Sequence, residues 1–444
     1  MQSNIFTQAE TYIQSRLPVD QASTLIPAAY TTPEFFALEQ EKVFSNGWVA
    51  AGCLPQVSNP GDILVTEVAG RSILIIRDKT GKLGAFYNVC RHRGSKLLEE
   101  SCKNKSIRCP YHAWVYGLDG KCLGTSMFQN KKSVDSPSSS AKTNEILDIK
   151  RFDKKDYGLL PVTVQSWGFL IFVNLSSKPT ELEEWLGDLP EKFQSHGLEN
   201  WKISGVKNYD VGSNYKLIEE NFMEYYHLPF VHPELTNVSR MEDHHRSQGA
   251  GMYTGMLTTP VSRDVDSVWL NLPAVEGLDK EHRKAAYHIC VFPNVTFTIL
   301  PNHAFCMITD PIRANQTRER TFLLTPPETL DNESVMTRCL RIDDILGHGE
   351  YPGFGNSRTC SSWLEQHSFQ RWTYVLRVRG TSASLSKLAG RQDVRYSSCT
   401  SRGLGLHQIH FAGIISSDSR TLLFHTFCWF KHCSTHCRPL IISC

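Results

Sequence analysis

The chain is short of the features that would send it to a membrane, to nucleic acid or out of the cell. Its 444 residues include no apolar run of the roughly eighteen residues that a membrane-spanning helix needs. The opening MQSNIFTQAETYIQSRLP has neither an apolar core nor an arginine-rich, acid-poor pattern, so no secretory or transit peptide is expected. Charge of one sign is missing too. With 47 basic residues against 45 acidic ones, no strong field favours nucleic acid or an anionic membrane. These absences point to a cytoplasmic protein whose partner is a small molecule or another protein, with no nucleic acid and no membrane. The fourteen cysteines are expected as reduced thiols in such a compartment, and the N-x-S/T sites at Asn174, Asn237, Asn294, Asn315 and Asn332 are expected to carry no glycan. The length suggests two or three units with ample core.

What is present is a ligand pattern. Cys90-x-His92 is followed, after sixteen residues, by Cys109-x-x-His112. Cys90 and His92 are two apart, so in an extended loop both side chains emerge on one side. Pro110 favours a tight turn between Cys109 and His112 over a regular helix. Two loops of this composition suit a Rieske-type [2Fe-2S] cluster, with two thiolates on one iron and two neutral imidazoles on the other. That exchange lowers the cluster's negative charge and raises its reduction potential above that of an all-cysteine cluster. Zinc is the rival, since two cysteines and two histidines also suit a tetrahedral ion, although C-x-H followed by C-x-x-H is not the finger spacing.

The texture around the motif divides the chain. Residues 1–45 read as an N-terminal helical segment, whose PEFFALEQEKVFSNGW run has apolar residues at helical spacing and a glycine stop at Gly47. Residues 46–176 read as a small β-sandwich, from the short runs DILVTEV, RSILIIRD and KLGAFYNV through to WGFLIFVNL, with SVDSPSSSAKT as an exposed loop. ELEEWLGDLPEKFQ then suggests a surface helix.

A second constellation lies in NYKLIEENFMEYYHLPFVHPEL, residues 214 to 235. His227 and His232 are five apart. A continuous helix leaves such rings roughly 140° apart, so Pro229 is expected to break the chain and bring both to one point. Two histidines plus a carboxylate form the facial triad of non-haem Fe(II) oxygenases, which leaves positions open for O2 and substrate. Glu224 precedes His227 by three residues, and helical spacing puts both on one face. There it can accept the ring N–H of a metal-bound histidine, whereas Glu219 and Glu220 serve as the comparison, ordinary solvated acids.

The combination C-x-H-x16-C-x-x-H with ENFxExYHxxxxHP resembles the catalytic α subunit of Rieske non-haem iron oxygenases, over roughly residues 30 to 335. The resemblance implies an α+β chain, a Rieske β-sandwich followed by a helix-grip catalytic domain at 177–345, assembled as a homotrimer. It implies a [2Fe-2S] cluster on Cys90, His92, Cys109 and His112, and Fe(II) on His227 and His232. It implies an NAD(P)H-dependent reductase or ferredoxin as partner, and Glu224 as the bridge from His227 to His112 of the next subunit. A Glu at the bridge, with the runs YTTPEFFALEQEKVFSNGW and AAYHICVFPNVTFTILP, is similar to choline, carnitine and glycine-betaine monooxygenases. An aromatic-ring-hydroxylating dioxygenase is the alternative, as is an electron-transfer protein with a dead iron site. Tyr225, Tyr226, Phe230 and Phe292 offer faces to a quaternary ammonium ion, and none is assigned to a cage.

The third iron ligand is implied to be a late carboxylate. Asp343 and Asp344 are the candidates, and Asp344 is taken, but the glycines and proline that follow spoil a helix. Residues 346–444 form an atypical tail that resembles no expected element. Its Cys428, His432, Cys433, His436 and Cys437 suit zinc as a minor alternative. An altered reading frame is a second account. With suitable codons, DDILGHGEYPGFGNSRT read one base later becomes MTYWDMENIQVLETVE, an acidic helical pattern. A transcript that reads continuously through this point retires the shifted frame, and a tail that is real as written leaves the iron without its covering helix.

Overall fold

The computed structural model describes residues 5–18, 21–126, 128–129, 147–148, 152–231, 240–247, 249–259 and 274–330, with short strands at Gly413–Ile415, Thr421–Phe424 and Ile442–Ser443. The 133–143 segment, His232, Asp343, Asp344 and the tail's cysteine and histidine cluster lie outside the described residues. After a short helix α1 (Ala28–Thr31), helix α2 (Pro33–Glu39) starts where Thr32 accepts the Phe35 amide at 3.3 Å and Pro33 opens the first turn. It widens into a π turn over Gln40–Phe44, so the helical run ends a little ahead of the stop expected at Gly47.

The first sheet is built from β1 (Val49–Cys53), β2 (Asp62–Val68), β3 (Arg71–Arg77), β4 (Leu83–Tyr87) and β5 (Cys102–Lys103), closed by a later hairpin. Strands β6 (Ile107–Arg108), β7 (Val115–Tyr116) and β8 (Cys122–Gly124) form a separate small sheet, and β9 (Phe128–Gln129) pairs in parallel with β10 (Leu147–Asp148). The hairpin of β11 (Pro161–Trp167) and β12 (Leu170–Asn174) turns at Gly168, whose φ of 52° suits glycine, and gives the order β1-β12-β11-β4-β3-β2-β5. Although β1 and β2 are remote in that order, they meet across one core, so the sheet folds over on itself. Strand β3 explains why RSILIIR is apolar throughout. Ile73 and Ile75 enter this inner core, while Leu74 and Ile76 pack on the other face against Cys90, Ile107, Cys109, Trp114 and Tyr116.

Helices α3 (Leu182–Leu186) and α4 (Leu189–Lys192) replace the expected surface helix. Their apolar side chains Leu182, Trp185, Leu186 and Leu189 are buried, because the segment is wedged between two sheets rather than laid on one. The second sheet comprises β13 (Lys202–Val211), β14 (His244–Arg246), β15 (Tyr253–Thr258), β16 (Ala286–Val291), β17 (Val295–Ile299), β18 (Ala304–Arg313) and β19 (Gln316–Thr325). It is antiparallel throughout, in the order β13-β19-β18-β17-β16-β15-β14. Ile289, Val291, Phe297 and Ile299 face the first sheet and share one core with Trp48, Ala50, Leu170 and Phe172. The alternate residue Cys290 faces the other way, toward Met223 and Tyr225, and on that side helix α5 (Tyr215–Phe222) lies against β17 and β18.

Polar contacts pin the two sheets where they meet. Asn294, 1% exposed, accepts the Ala50 amide at 2.9 Å and donates to the carbonyls of Ala50 at 3.0 Å and Thr309 at 3.2 Å. Within the first sheet's own region, Asn174, also 1% exposed, ties the end of β12 to the segment before β1 by donating to Asn46 O at 3.1 Å. Replacing Asn294 by Ala leaves three buried backbone groups short of a partner, which is expected to cost about 2–4 kcal/mol. A thermal midpoint equal to that of the parent chain would show that the two sheets do not rely on this joint.

Candidate metal centres

The two ligand loops share one backbone design. Cys90 N donates to Ser95 O at 2.8 Å and Cys109 N to Trp114 O at 2.7 Å, each five residues on. The carbonyls of the same cysteines accept from Gly94 N at 3.0 Å and Ala113 N at 3.1 Å, each four residues on. Gly94 and Ala113 hold the left-handed conformation these turns require, at φ 71° and 57°. Unequal ligand spacing is thereby absorbed inside equal turns, and both thiols point inward while both imidazoles reach the surface.

Cys90 and Cys109 are 3% and 2% exposed, and their thiols are within hydrogen-bonding reach of each other. His92 Nδ1 and His112 Nδ1 are 3.1 Å apart. His92 stacks on Trp114 at 5.0 Å between centroids, and Tyr111, 61% exposed, lies over His112 at 3.8 Å. The thiols are held differently. Burial pushes the Cys90 thiol up, against the Tyr116 hydroxyl at 3.2 Å and the His92 amide. Burial also acts on Cys109, but the amides of His112 and Tyr111 and the contacts with Cys90 and Ser95 bring its thiol below the ordinary range. Among the described residues no three His, Cys, Asp or Glu side chains surround one point. These four stand as a buried cysteine pair and a surface histidine pair, the division that fits a two-iron cluster.

Helix α5 leads to the second centre. Asn214 caps it, accepting Lys216 N at 3.1 Å and donating to Tyr30 O at 2.9 Å and Ala314 O at 2.7 Å. The helix ends at Phe222, so the chain leaves helical geometry before His227, and Pro229 sits in the first turn of a new helix α6 (Leu228–Val231). The break therefore precedes the proline expected to cause it, because proline is tolerated at a helix start. Glu224 and His227 do meet, through a turn rather than a helix face. Glu224 Oε2 accepts the amides of Tyr226 and His227, the latter at 3.3 Å, and Glu224 Oε1 meets His227 Nδ1. With Nδ1 engaged by Glu224, a metal would be held through Nε2. The second proposed ligand, His232, and the third, Asp344, belong to the undescribed segments, so of that triad only His227 is placed.

Glu219 and Glu220 are not solvated acids. Glu219 is 1% exposed and accepts from Thr309 Oγ1 at 2.7 Å, and burial pushes its carboxyl well above the ordinary range. Glu220 accepts from Tyr30 OH at 2.8 Å and is pushed up to about 7, by burial foremost, though part of it still meets solvent. Lys216 completes the group with Glu39 at 2.8 Å and 3.0 Å, its ammonium 4.7–5.4 Å from the rings of Tyr215, Phe35 and Tyr30. Sequence reasoning missed this cluster, although Lys216 four residues before Glu220 in a largely apolar helix was a usable signal. His244 stacks on Tyr225 at 4.6 Å, and His288, 2.9 Å from Thr298 Oγ1, is pushed down to about 3 by burial. Of the four aromatics proposed to face a cation, Tyr225 is buried, Tyr226 and Phe230 are 47% and 75% exposed, and Phe292 packs between the two sheets. They do not enclose one point.

Two sequence patterns match in succession, a Rieske [2Fe-2S] domain over residues 47–136 and a ring hydroxylating alpha subunit catalytic domain over residues 198–343. The chain belongs to the Rieske non-haem iron oxygenases. A Rieske [2Fe-2S] cluster and a mononuclear iron are the cofactors of this family's oxygenase chains, and the fold is a Rieske domain followed by the catalytic domain. The chain is 32% identical over 219 residues to the glycine betaine monooxygenase oxygenase subunit of Pseudomonas aeruginosa, covering 49% of this chain and 46% of that one. It is 31% identical over 223 residues to the chloroplastic choline monooxygenase of Spinacia oleracea (49% and 47%), and 33% identical over 217 residues to the carnitine monooxygenase oxygenase subunit of Acinetobacter baumannii (48% and 54%). It thus spans about half the length of these curated relatives. Among solved structures, a quaternary ammonium Rieske monooxygenase superimposes with a TM-score of 0.64 at 24% identity, covering 79% of this chain and 89% of that one. Naphthalene 1,2-dioxygenase from Rhodococcus sp. gives 0.63 at 20% identity, covering 80% and 87%. At these identities the likeness concerns the fold alone.

The raised Glu220 carboxyl has a pH consequence. A carboxyl whose folded value lies near 7, above its unfolded value of 4.5, favours folding most when protonated. Its contribution is therefore complete at low pH and is lost as pH rises from about 4.5 through 7. Glu220→Gln keeps an acceptor for Tyr30 without the titration. The variant is expected to gain thermal stability relative to the parent at pH 8 and to gain none at pH 4.5. A difference between the two chains that stays constant across that range would refute this assignment.

Proposed function

We propose that the chain is the oxygenase component of a Rieske-type monooxygenase that hydroxylates a small quaternary ammonium compound such as choline, using O2 and electrons from an NAD(P)H-dependent reductase or ferredoxin. The observation that carries this reading is the pairing of the four-donor knuckle with the Glu224–His227 contact in one chain. The names of the relatives support the substrate class: they act on glycine betaine, choline and carnitine. In the overall reaction NADH, a proton, O2 and R–H give NAD+, R–OH and water. When bound, the cluster supplies single electrons and the iron supplies oxygen activation.

The chain's own residues have distinct tasks. Cys90 and Cys109 grip from the buried side as thiolates, while His92 and His112 hold the side that faces solvent. His227, His232 and Asp344 are the proposed iron ligands. Glu224 orients His227 by holding its Nδ1, and in a ring of three copies it links His227 to His112 of a neighbouring copy. One solved relative is described in terms of inter-subunit electron transfer. Exposed Tyr111 beside His112, and exposed Tyr226 and Phe230 beside His227, are the apolar surfaces that such a contact would cover. The cytoplasm is the proposed compartment. The seven cysteines placed among the described residues are all free thiols, and no helix among those residues is long and apolar enough to cross a membrane.

The test combines metal content with turnover. Anaerobically purified protein loaded with Fe(II) is expected to hold three irons and two acid-labile sulfides per chain. With a borrowed reductase and NADH it is expected to consume O2 in step with product on choline, carnitine or glycine betaine, and not on benzoate. Glu224→Gln should keep the iron content and slow coupled turnover by about 10–100-fold. Two irons per chain with no turnover on any substrate would instead identify an electron-transfer protein.

A further inference from the structure

One row of side chains crosses the second sheet on the side that helix α5 covers. Met256 on β15 stands opposite His288 on β16, His288 opposite Thr298 on β17, and Thr298 opposite Phe305 on β18. Strand alternation puts His288 on the same side as Cys290, which faces Met223 and Tyr225. Elsewhere on this side Cys290, Thr296 and Thr309 are fully buried, yet His288, Thr298 and Phe305 remain partly accessible in the middle of the sheet. The row is therefore the floor of an open space rather than packed core. Phe222, the last residue of α5 and five before His227, borders that space, its ring 6.2 Å from the His288 ring at 68°.

The floor carries one hydrogen-bonding pair between apolar ends. His288 Nδ1 and Thr298 Oγ1 are 2.9 Å apart, which fixes the ring and turns Nε2 to the space, since that nitrogen is not among the buried atoms left without a partner. The ring is neutral at ordinary pH, because burial pushes it down to about 3. A neutral imidazole nitrogen offers a single partner, which suits an alcohol oxygen, whereas a carboxylate withdrawn from water needs a cation. The charges on this side do not supply one at His288. Glu219 lies beside Cys290, Glu319 is opposite Thr309, and Lys216 is paired with Glu39. Arg246 stands opposite Met256 on the edge strand, two strands from His288. We propose that His288, held by Thr298, selects the substrate by hydrogen-bonding the hydroxyl of a quaternary ammonium alcohol. This rests on the oxygenase reading above and assigns the oxygen end of its substrate.

The test uses the holoenzyme with its cluster oxidised and no reductase, so that ligands bind without turnover. Affinity is measured by isothermal titration with choline, with glycine betaine, and with propyltrimethylammonium, which has a methyl group in place of the hydroxyl. The parent chain is expected to bind choline at least about tenfold more tightly than the other two. His288→Leu should bind choline about 10–100-fold more weakly and propyltrimethylammonium as the parent does, and His288→Gln should recover part of the loss. Should His288→Leu fail to fold, Thr298→Val, which frees the ring, carries the same test. Equal affinity of the parent for choline and propyltrimethylammonium overturns the proposal. So does equal weakening of both ligands by the variants, which would make His288 a packing residue, or tighter binding of glycine betaine than of choline, which would assign the space to a carboxylate. Choline turnover that persists in any of these cases leaves the oxygenase reading standing. A parent chain that binds no quaternary ammonium compound removes that substrate class and this assignment together.

Discussion

Everything the chain can do with an electron depends on two turns in which a cysteine's own amide and carbonyl are tied to the residues that follow it. Those hydrogen bonds close each loop around its thiol and leave the next ligand side chain to project outward. Two such turns set side by side give a buried sulfur pair and a surface imidazole pair 3.1 Å apart at Nδ1. The arrangement is asymmetric by construction. Its sulfur side is packed into a core with Leu74, Ile76 and Trp114, and its nitrogen side borders solvent, where an electron can be received or handed on.

The second centre depends on how α5 is anchored. A helix of eight residues has little stability of its own, and its position comes from tertiary contacts. Asn214 fixes its start, and Lys216, Glu219 and Glu220 fix its sides from within. Burying one cation and three carboxyls beneath one helix is unfavourable unless each is paired or neutralised. The structure does both. Glu39 pairs with Lys216 inside a ring of aromatic faces, whereas Glu219 accepts from Thr309 and burial pushes its carboxyl well above the ordinary range. These constraints join the N-terminal segment, the helix and the second sheet, and the helix hands the chain directly to Glu224 and His227.

Motifs with obligatory chemistry were legible early. The convergence of Cys90, His92, Cys109 and His112, the β-rich texture of the first domain and the contact between Glu224 and His227 were legible, because side-chain chemistry and short-range spacing specify them. Backbone path was less legible. A helix was expected to run on toward Pro229, yet it ends at Phe222, and the Glu224 side chain itself organises the following turn by accepting two amides. ELEEWLGDLPEKFQ looked like a surface helix because its charges are conspicuous, while Trp185 and Leu189 are what the two sheets enclose. Glu219 and Glu220 failed for the same reason: an acid in a helix reads as solvated until the partner sheet is known.

The sequence by itself determined which atoms are available to bind metal, and therefore the chemistry open to the chain, since thiols, imidazoles and carboxylates at fixed spacing carry that information locally. Tertiary structure alone decided which of those atoms face each other, which face solvent and which charges are stripped of water. The pairing of His92 with His112, the burial of Glu219 and the fusion of two sheets into one core through Asn294 join residues far apart in sequence. Such contacts are set by how whole faces pack, which no local pattern records.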